Sequence, residues 1–147
     1  MSGVVRRVRP VAIAMLLVSV LAAAAGCGGP AEDDAALDGT QWRLTGWSLS
    51  SLDPNDFTIT ATFADSQVSG TSAVNSYSGP YTTGPGSAFS TGDLASTNMA
   101  GAEPAMRAET AYFKLLGEAA SYRLDGSTLA LHDADGQESL VFAATDQ

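Results

Sequence analysis

The chain has 147 residues, with 7 basic and 16 acidic side chains and a net charge of −9. With one histidine and one cysteine it lacks the ligand set of a structural zinc site, and no partner set for a catalytic triad accompanies His132. Its acidity repels nucleic acid: beyond the first ten residues only Arg43, Arg107, Lys114 and Arg123 are available to meet phosphates.

The N-terminal stretch reads as a targeting segment. Residues 1–10 hold Arg6, Arg7 and Arg9 and no acid, and Val11 to Ala25 are apolar or small apart from Ser19. This pattern is that of a signal peptide over residues 1–26, and the apolar run is short of the roughly 20 residues of a membrane-spanning helix. Ala24-Ala25-Gly26-Cys27 resembles the bacterial lipobox, with Ala24 where a leucine is usual and Leu21 further back. The resemblance implies that Cys27 becomes the first residue of the mature protein and carries a diacylglyceryl group and palmitate-type chains. The bland alternative is an ordinary cleaved signal with an incidental cysteine. Two or more acyl chains give stable attachment. The expected location is therefore the cell membrane, lipid-anchored on its extracytoplasmic face, periplasmic or cell-surface. Without the three leader arginines, four basic residues stand against sixteen acidic ones, a net −12. With Cys27 lipidated no disulfide can form, so the core alone must hold the domain.

Residues 27–37 read as a flexible tether, small and acidic, and residues 38–147 as one domain. Thr40 to Trp47 alternates as a strand, and Asp53-Pro54-Asn55 marks a loop. Phe57 to Phe63 is the clearest strand, with Phe57, Ile59, Ala61 and Phe63 on one face and threonines on the other. Further strands are predicted over Gln67–Val74, Tyr77–Thr82, Ala88–Thr91 and Leu94–Asn98. Pro104 suits a helix's first turn, and Ala105–Ala120 are predicted helical with Met106, Phe113 and Leu116 as the apolar stripe. A meander follows: Ser121–Leu124, an Asp125-Gly126 turn, Ser127–His132, a turn over Asp133–Gly136, and Glu138–Ala143. The fold class is mostly β (α+β), an antiparallel architecture with one helix.

Five segments in order carry a family resemblance: Gly39-Thr40-Gln41-Trp42-Arg43-Leu44, Asn75-Ser76-Tyr77-Ser78-Gly79-Pro80-Tyr81, Ser96-Thr97-Asn98-Met99-Ala100, Met106-Arg107-Ala108-Glu109, and Tyr122 to Leu131 ending in Leu140-Val141-Phe142. Together they resemble the META domain, also called the heat-shock-protein HslJ-like family. The resemblance implies a lipocalin-like antiparallel β-barrel with one packed helix, often secreted or lipid-anchored, linked in some members to heat shock or antibiotic tolerance. It implies no defined catalytic activity. Many members carry a cysteine shortly after the Thr-x-Met element, where this chain has Gly101, so a redox role does not transfer.

Glu109 is the residue that breaks the pattern, because it lies on the helix's apolar stripe. A carboxylate there must find donors or shift its pKa upward. One reading makes it a polar pin that caps backbone N–H groups or meets Thr97, Asn75 or Arg43; the other makes it a proton-transfer or ligand-binding carboxylate. Asn75, Tyr77, Gly79 and Tyr81 are read either as pocket-lining groups or as turn chemistry plus core aromatics. Asp133 to Glu138 has the look of a calcium loop without its full spacing and reads as a hairpin turn. No metal and no cofactor is expected. The functional expectation is a non-enzymatic envelope lipoprotein acting through binding in stress tolerance or envelope maintenance. The alternatives are a carrier of a small apolar ligand in the barrel mouth, or an inhibitor or chaperone-like partner of an envelope protein.

Overall fold

The computed structural model describes residues 36–49 and 51–145. The predicted signal peptide, Cys27 and the predicted tether up to residue 35 lie outside the described residues. The elements are β1 (Thr40–Trp47), β2 (Thr60–Ala64), β3 (Gln67–Thr71), β4 (Ser76–Gly84), β5 (Ala88–Thr91), β6 (Ala95–Ser96), α1 (Glu103–Glu118), β7 (Ser121–Asp125), β8 (Thr128–His132) and β9 (Glu138–Ala144). A short 3-10 helix over Pro54–Asp56 sits in the β1–β2 connection. Strand order is β3-β2-β1-β9-β8-β7-β5-β4-β6, and β3 also pairs with β4. That pairing closes eight antiparallel strands into a barrel, with the two-residue β6 added beside β4.

Alternation along the strands fills the barrel. In β2, Ala61 and Phe63 are buried while Thr60 and Thr62 face out; in β4, Tyr77, Gly79 and Tyr81 are buried between exposed Ser76, Ser78, Pro80 and Thr82. Trp42, Phe63, Leu129 and Phe142 are buried, and Phe57 packs against them half-buried. Each such side chain contributes about 1.5–3 kcal/mol of burial. An interior filled by these side chains argues against the reading of the barrel as a carrier of an apolar ligand. Two shallow clefts, of about 320 Å³ beside Tyr77 and about 260 Å³ beside Tyr81, are separate surface features with no lining residue in common.

The register separates the two ends. Thr40 lies opposite Phe63, and Thr128 opposite Ala143, so the chain enters at the end carrying the Asp65-Ser66 and Asp125-Gly126 turns. The β3–β4 turn, α1 and the β8–β9 turn occupy the other end, where Asn75 bonds to Glu109 of the helix and Ala120 N–H donates to His132 O.

Several details differ from the sequence reading, among them the helix, which spans Glu103–Glu118 rather than 105–120, and the strand predicted over Leu94–Asn98, which is only Ala95–Ser96. Leu37, assigned to the tether, is fully buried: its carbonyl accepts from Thr40 N–H, and Gly39 N–H donates to Phe63 O. Phe57, Thr58 and Ile59 stand outside β2: Phe57 N–H caps the 3-10 helix by donating to Pro54 O, and Ile59 forms an isolated bridge to Ser72. The strand predicted to Val74 stops at Thr71, where Ser72 to Asn75 turn through Ala73 at φ 80°. Along the helix Glu109 and Leu116 of the expected stripe are buried, together with Tyr112 beside it and with Ala108 and Leu115, while Met106 is half-buried at the edge of an outer groove with Leu49 and Phe113 is half-buried.

Candidate functional site

The polar cluster at the helix end grows from one turn. Ser72 N–H donates to Asn75 O at 2.8 Å, and Ala73 N–H to Thr58 O at 3.0 Å. Holding a non-glycine residue at positive φ costs about 1 kcal/mol or more, so other contacts must fix it. Glu109 supplies them. Its Oε2 accepts from Ser72 Oγ at 2.7 Å and from Asn75 N–H at 2.9 Å, and its Oε1 accepts from Asn75 Nδ2 at 2.8 Å. The Val74 backbone N–H contributes as well. Successive amides turned onto one carboxylate form an anion cradle.

Glu109 is only 8% exposed. Burial pushes its pKa up, but the donors from Ser72, Asn75 and the Val74 backbone together outweigh burial and hold it below the ordinary 4.5. The carboxylate is therefore an anion at neutral pH, with its acceptor sites filled from the turn.

Asn75 extends the network away from the helix. Its Oδ1 accepts from Thr97 Oγ1 at 2.8 Å and Met99 N–H at 2.7 Å, which ties down the segment leading into α1. Thr97 thus reaches Glu109 only through Asn75. Arg43, a candidate partner, does not join them: its guanidinium donates to Phe57 O at 3.2 Å. Ser72 was not singled out in the sequence; its neighbours Ala73 and Val74 give no turn signal.

Tyr77 and Tyr112 form a second pair below the cluster, with hydroxyl oxygens 2.6 Å apart and rings edge to face. Tyr77 donates to Thr60 O at 2.9 Å, so the shared proton comes from Tyr112. Burial raises both phenol pKa values well above 10, so both stay neutral. Removing the acceptor strands a buried donor, whereas removing the donor does not. Tyr77→Phe is expected to cost about 1–3 kcal/mol and Tyr112→Phe about 0.5–1.5 kcal/mol, read from urea denaturation midpoints. A larger loss for Tyr112→Phe contradicts this donor assignment. Tyr81 stands apart from the cluster, edge-on to Phe63 at 4.9 Å and stacked on Phe89 at 6.2 Å.

The remaining candidates resolve into turns. Asp133 Oδ1 accepts from Asp135 and Gln137 N–H, which closes the β8–β9 hairpin. No group of three metal-ligating side chains stands together among the described residues.

A model of the META domain matches residues 35–146. The chain belongs to the META-domain family. Among solved structures, the domain is similar to an NMR structure of a protein from Burkholderia xenovorans, 27% identical with a TM-score of 0.63, over 76% of this chain and 85% of that one. It shares its fold with a DUF4847 family protein from Bacteroides vulgatus ATCC 8482, 12% identical with a TM-score of 0.58, over 76% of this chain and 96% of that one. No curated protein matches the chain. In this META domain a Cβ at Gly101 would come within 2.7 Å of Val74 Cγ2, so a side chain there requires Val74 to shift.

Proposed function

We propose that this META-domain protein is a non-enzymatic lipoprotein of the cell envelope, anchored through Cys27 and acting through binding in stress tolerance or envelope maintenance. The observation that carries the non-enzymatic part is the saturation of the polar cluster. Glu109, Asn75 and Ser72 spend their hydrogen bonds on one another and on the backbone, and the two tyrosines do the same. In this reading Glu109 is a polar pin that clamps α1 to the β3–β4 turn. A general base, by contrast, needs a lone pair aimed at a substrate.

The anchor rests on the lipobox-like segment and on the way the chain enters the barrel. Leu37 seats the chain at the end opposite α1, so a tether from that side leaves the helix end clear of the attachment point. A binding partner is then an envelope protein or a small molecule met at that end. A pull-down from envelope extract tests it, comparing the Cys27-anchored protein with a soluble form starting at Gly28. The expected result is a partner retained specifically by the folded domain. A robust hydrolase activity abolished by one point mutation would falsify the non-enzymatic reading.

A further inference from the structure

We propose that the cleft between α1 and the β5–β6 connection is a binding site for a small organic cation with an apolar body. The cleft measures about 480 Å³ and is lined by Thr91, Asp93, Leu94, Ser96, Phe113 and Gly117, with Gly92 at its base. Three glycines shape it. A Cβ at Gly79 comes within 2.7 Å of both Asp93 O and Leu94 Cδ2, so the bare backbone of β4 lets the Asp93-Leu94 wall lie directly on the sheet. A Cβ at Gly92 comes within 2.8 Å of Pro80 Cγ, which seats the same wall from its other side. Gly117 is the opposite case. It lies inside a helix, where glycine is disfavoured, yet a Cβ there meets nothing within 4 Å. No packing constraint calls for glycine at 117, and its bare backbone keeps the cleft wall open.

The lining selects the ligand class. Asp93 is the one charged side chain in the cleft, and no cationic residue lines it. Phe113 presents an aromatic ring held in place by edge-to-face contact with Tyr77 at 5.5 Å and by Tyr112 at 5.9 Å. A cleft lined by an aspartate, an aromatic residue and a leucine suits an ammonium group carrying an apolar portion, with Thr91 and Ser96 as further polar lining. The net charge of −9 draws cations and repels anions.

This inference rests on the binding reading of the domain and is independent of the anchor. The probe is phenethylamine, titrated into isotope-labelled protein and followed by amide shifts, with phenylacetate and 2-phenylethanol as the anionic and neutral analogues. Saturable shifts are expected at residues 91–96 and at Phe113 and Gly117, with phenethylamine the tightest of the three. Asp93→Asn, an exposed change that leaves the core intact, is expected to weaken phenethylamine about threefold and to leave 2-phenylethanol unchanged. Gly117→Leu is expected to block all three while raising the melting temperature. Equal binding of phenylacetate, shifts that map elsewhere, or binding that survives Gly117→Leu overturns the proposal. Those results leave the envelope reading standing, since the pull-down judges it separately.

Discussion

Replacing Glu109 with alanine is expected to destabilise the domain by about 2–4 kcal/mol. Hydrogen bonds to a charged acceptor contribute about 1.5–3 kcal/mol each, and Ser72 Oγ, Asn75 N–H and Asn75 Nδ2 converge on this carboxylate together with the Val74 backbone N–H. The sum is discounted because two donors keep partial alternatives. Ser72 Oγ can turn to Asn75 O at 2.9 Å, and Asn75 Nδ2 retains Met99 O at 3.3 Å. Asn75 N–H has no such alternative, and the positive-φ turn at Ala73 loses its clamp. Glu109→Gln is expected to recover only part of the loss. Both carboxylate oxygens face donors, so the amide NH2 of glutamine must point at one of them.

The same carboxylate sets an acid limit. Its folded pKa lies below the ordinary value, so the unfolded chain binds more protons in the window between the two. Its stabilisation is therefore fully present above the unfolded pKa and disappears as pH falls through the folded one. Exposed Asp53, whose pKa is lowered by Asn55 backbone and side-chain donors, titrates in the same direction. The diagnostic is therefore the difference between wild type and Glu109→Gln. Urea midpoints are expected to converge as pH drops from about 7 to about 3. Unchanged stability at neutral pH together with lost ligand binding makes Glu109 a functional carboxylate and contradicts the clamp.

Gly70→Ala is expected to cost about 3 kcal/mol or more. A Cβ at this position comes 2.1 Å from Thr60 O and 2.8 Å from Thr60 C, both backbone atoms of the neighbouring strand. Relief requires β2 and β3 to separate next to the bond that closes the barrel. Thr60 O also accepts from Tyr77 Oη, so the displacement reaches the tyrosine pair. Gly117→Ala is the matched control. Its Cβ enters open space, and the change is expected to stabilise by about 0.5–1 kcal/mol through helix propensity. Thermal melts of the two variants moving in the same direction contradict the steric account.

Features with a local period were legible in the sequence. Alternation placed Ala61 and Phe63 of β2 inward, whereas Gly79, read as pocket or turn chemistry, lies within the continuous strand β4; Asp125-Gly126 marked its turn with Gly126 at φ 57°. Glu109 was visible because a carboxylate interrupts an apolar stripe, and Asn75 because it opens a turn-rich segment. Ser72 was not, because its bond to Glu109 spans 37 residues and its turn runs through an alanine. Leu37 is the one large apolar residue in a small, acidic stretch, which carries no period to read. The helix stripe held at Glu109 and Leu116, but Ala108 and Leu115 take buried positions beside Tyr112 while Met106 and Phe113 are only half-buried. The cleft at Asp93 and Phe113 joins distant segments by glycine close approaches, which leave no trace in local pattern.

The envelope account depends most on Cys27, and one experiment addresses it directly. Cells expressing the full chain are labelled with a palmitate analogue, and wild type is compared with Cys27→Ser by gel and membrane fractionation. The account predicts a labelled, membrane-bound wild type and an unlabelled Cys27→Ser form. Labelling that persists in Cys27→Ser, or a wild type that is unlabelled and released, contradicts it.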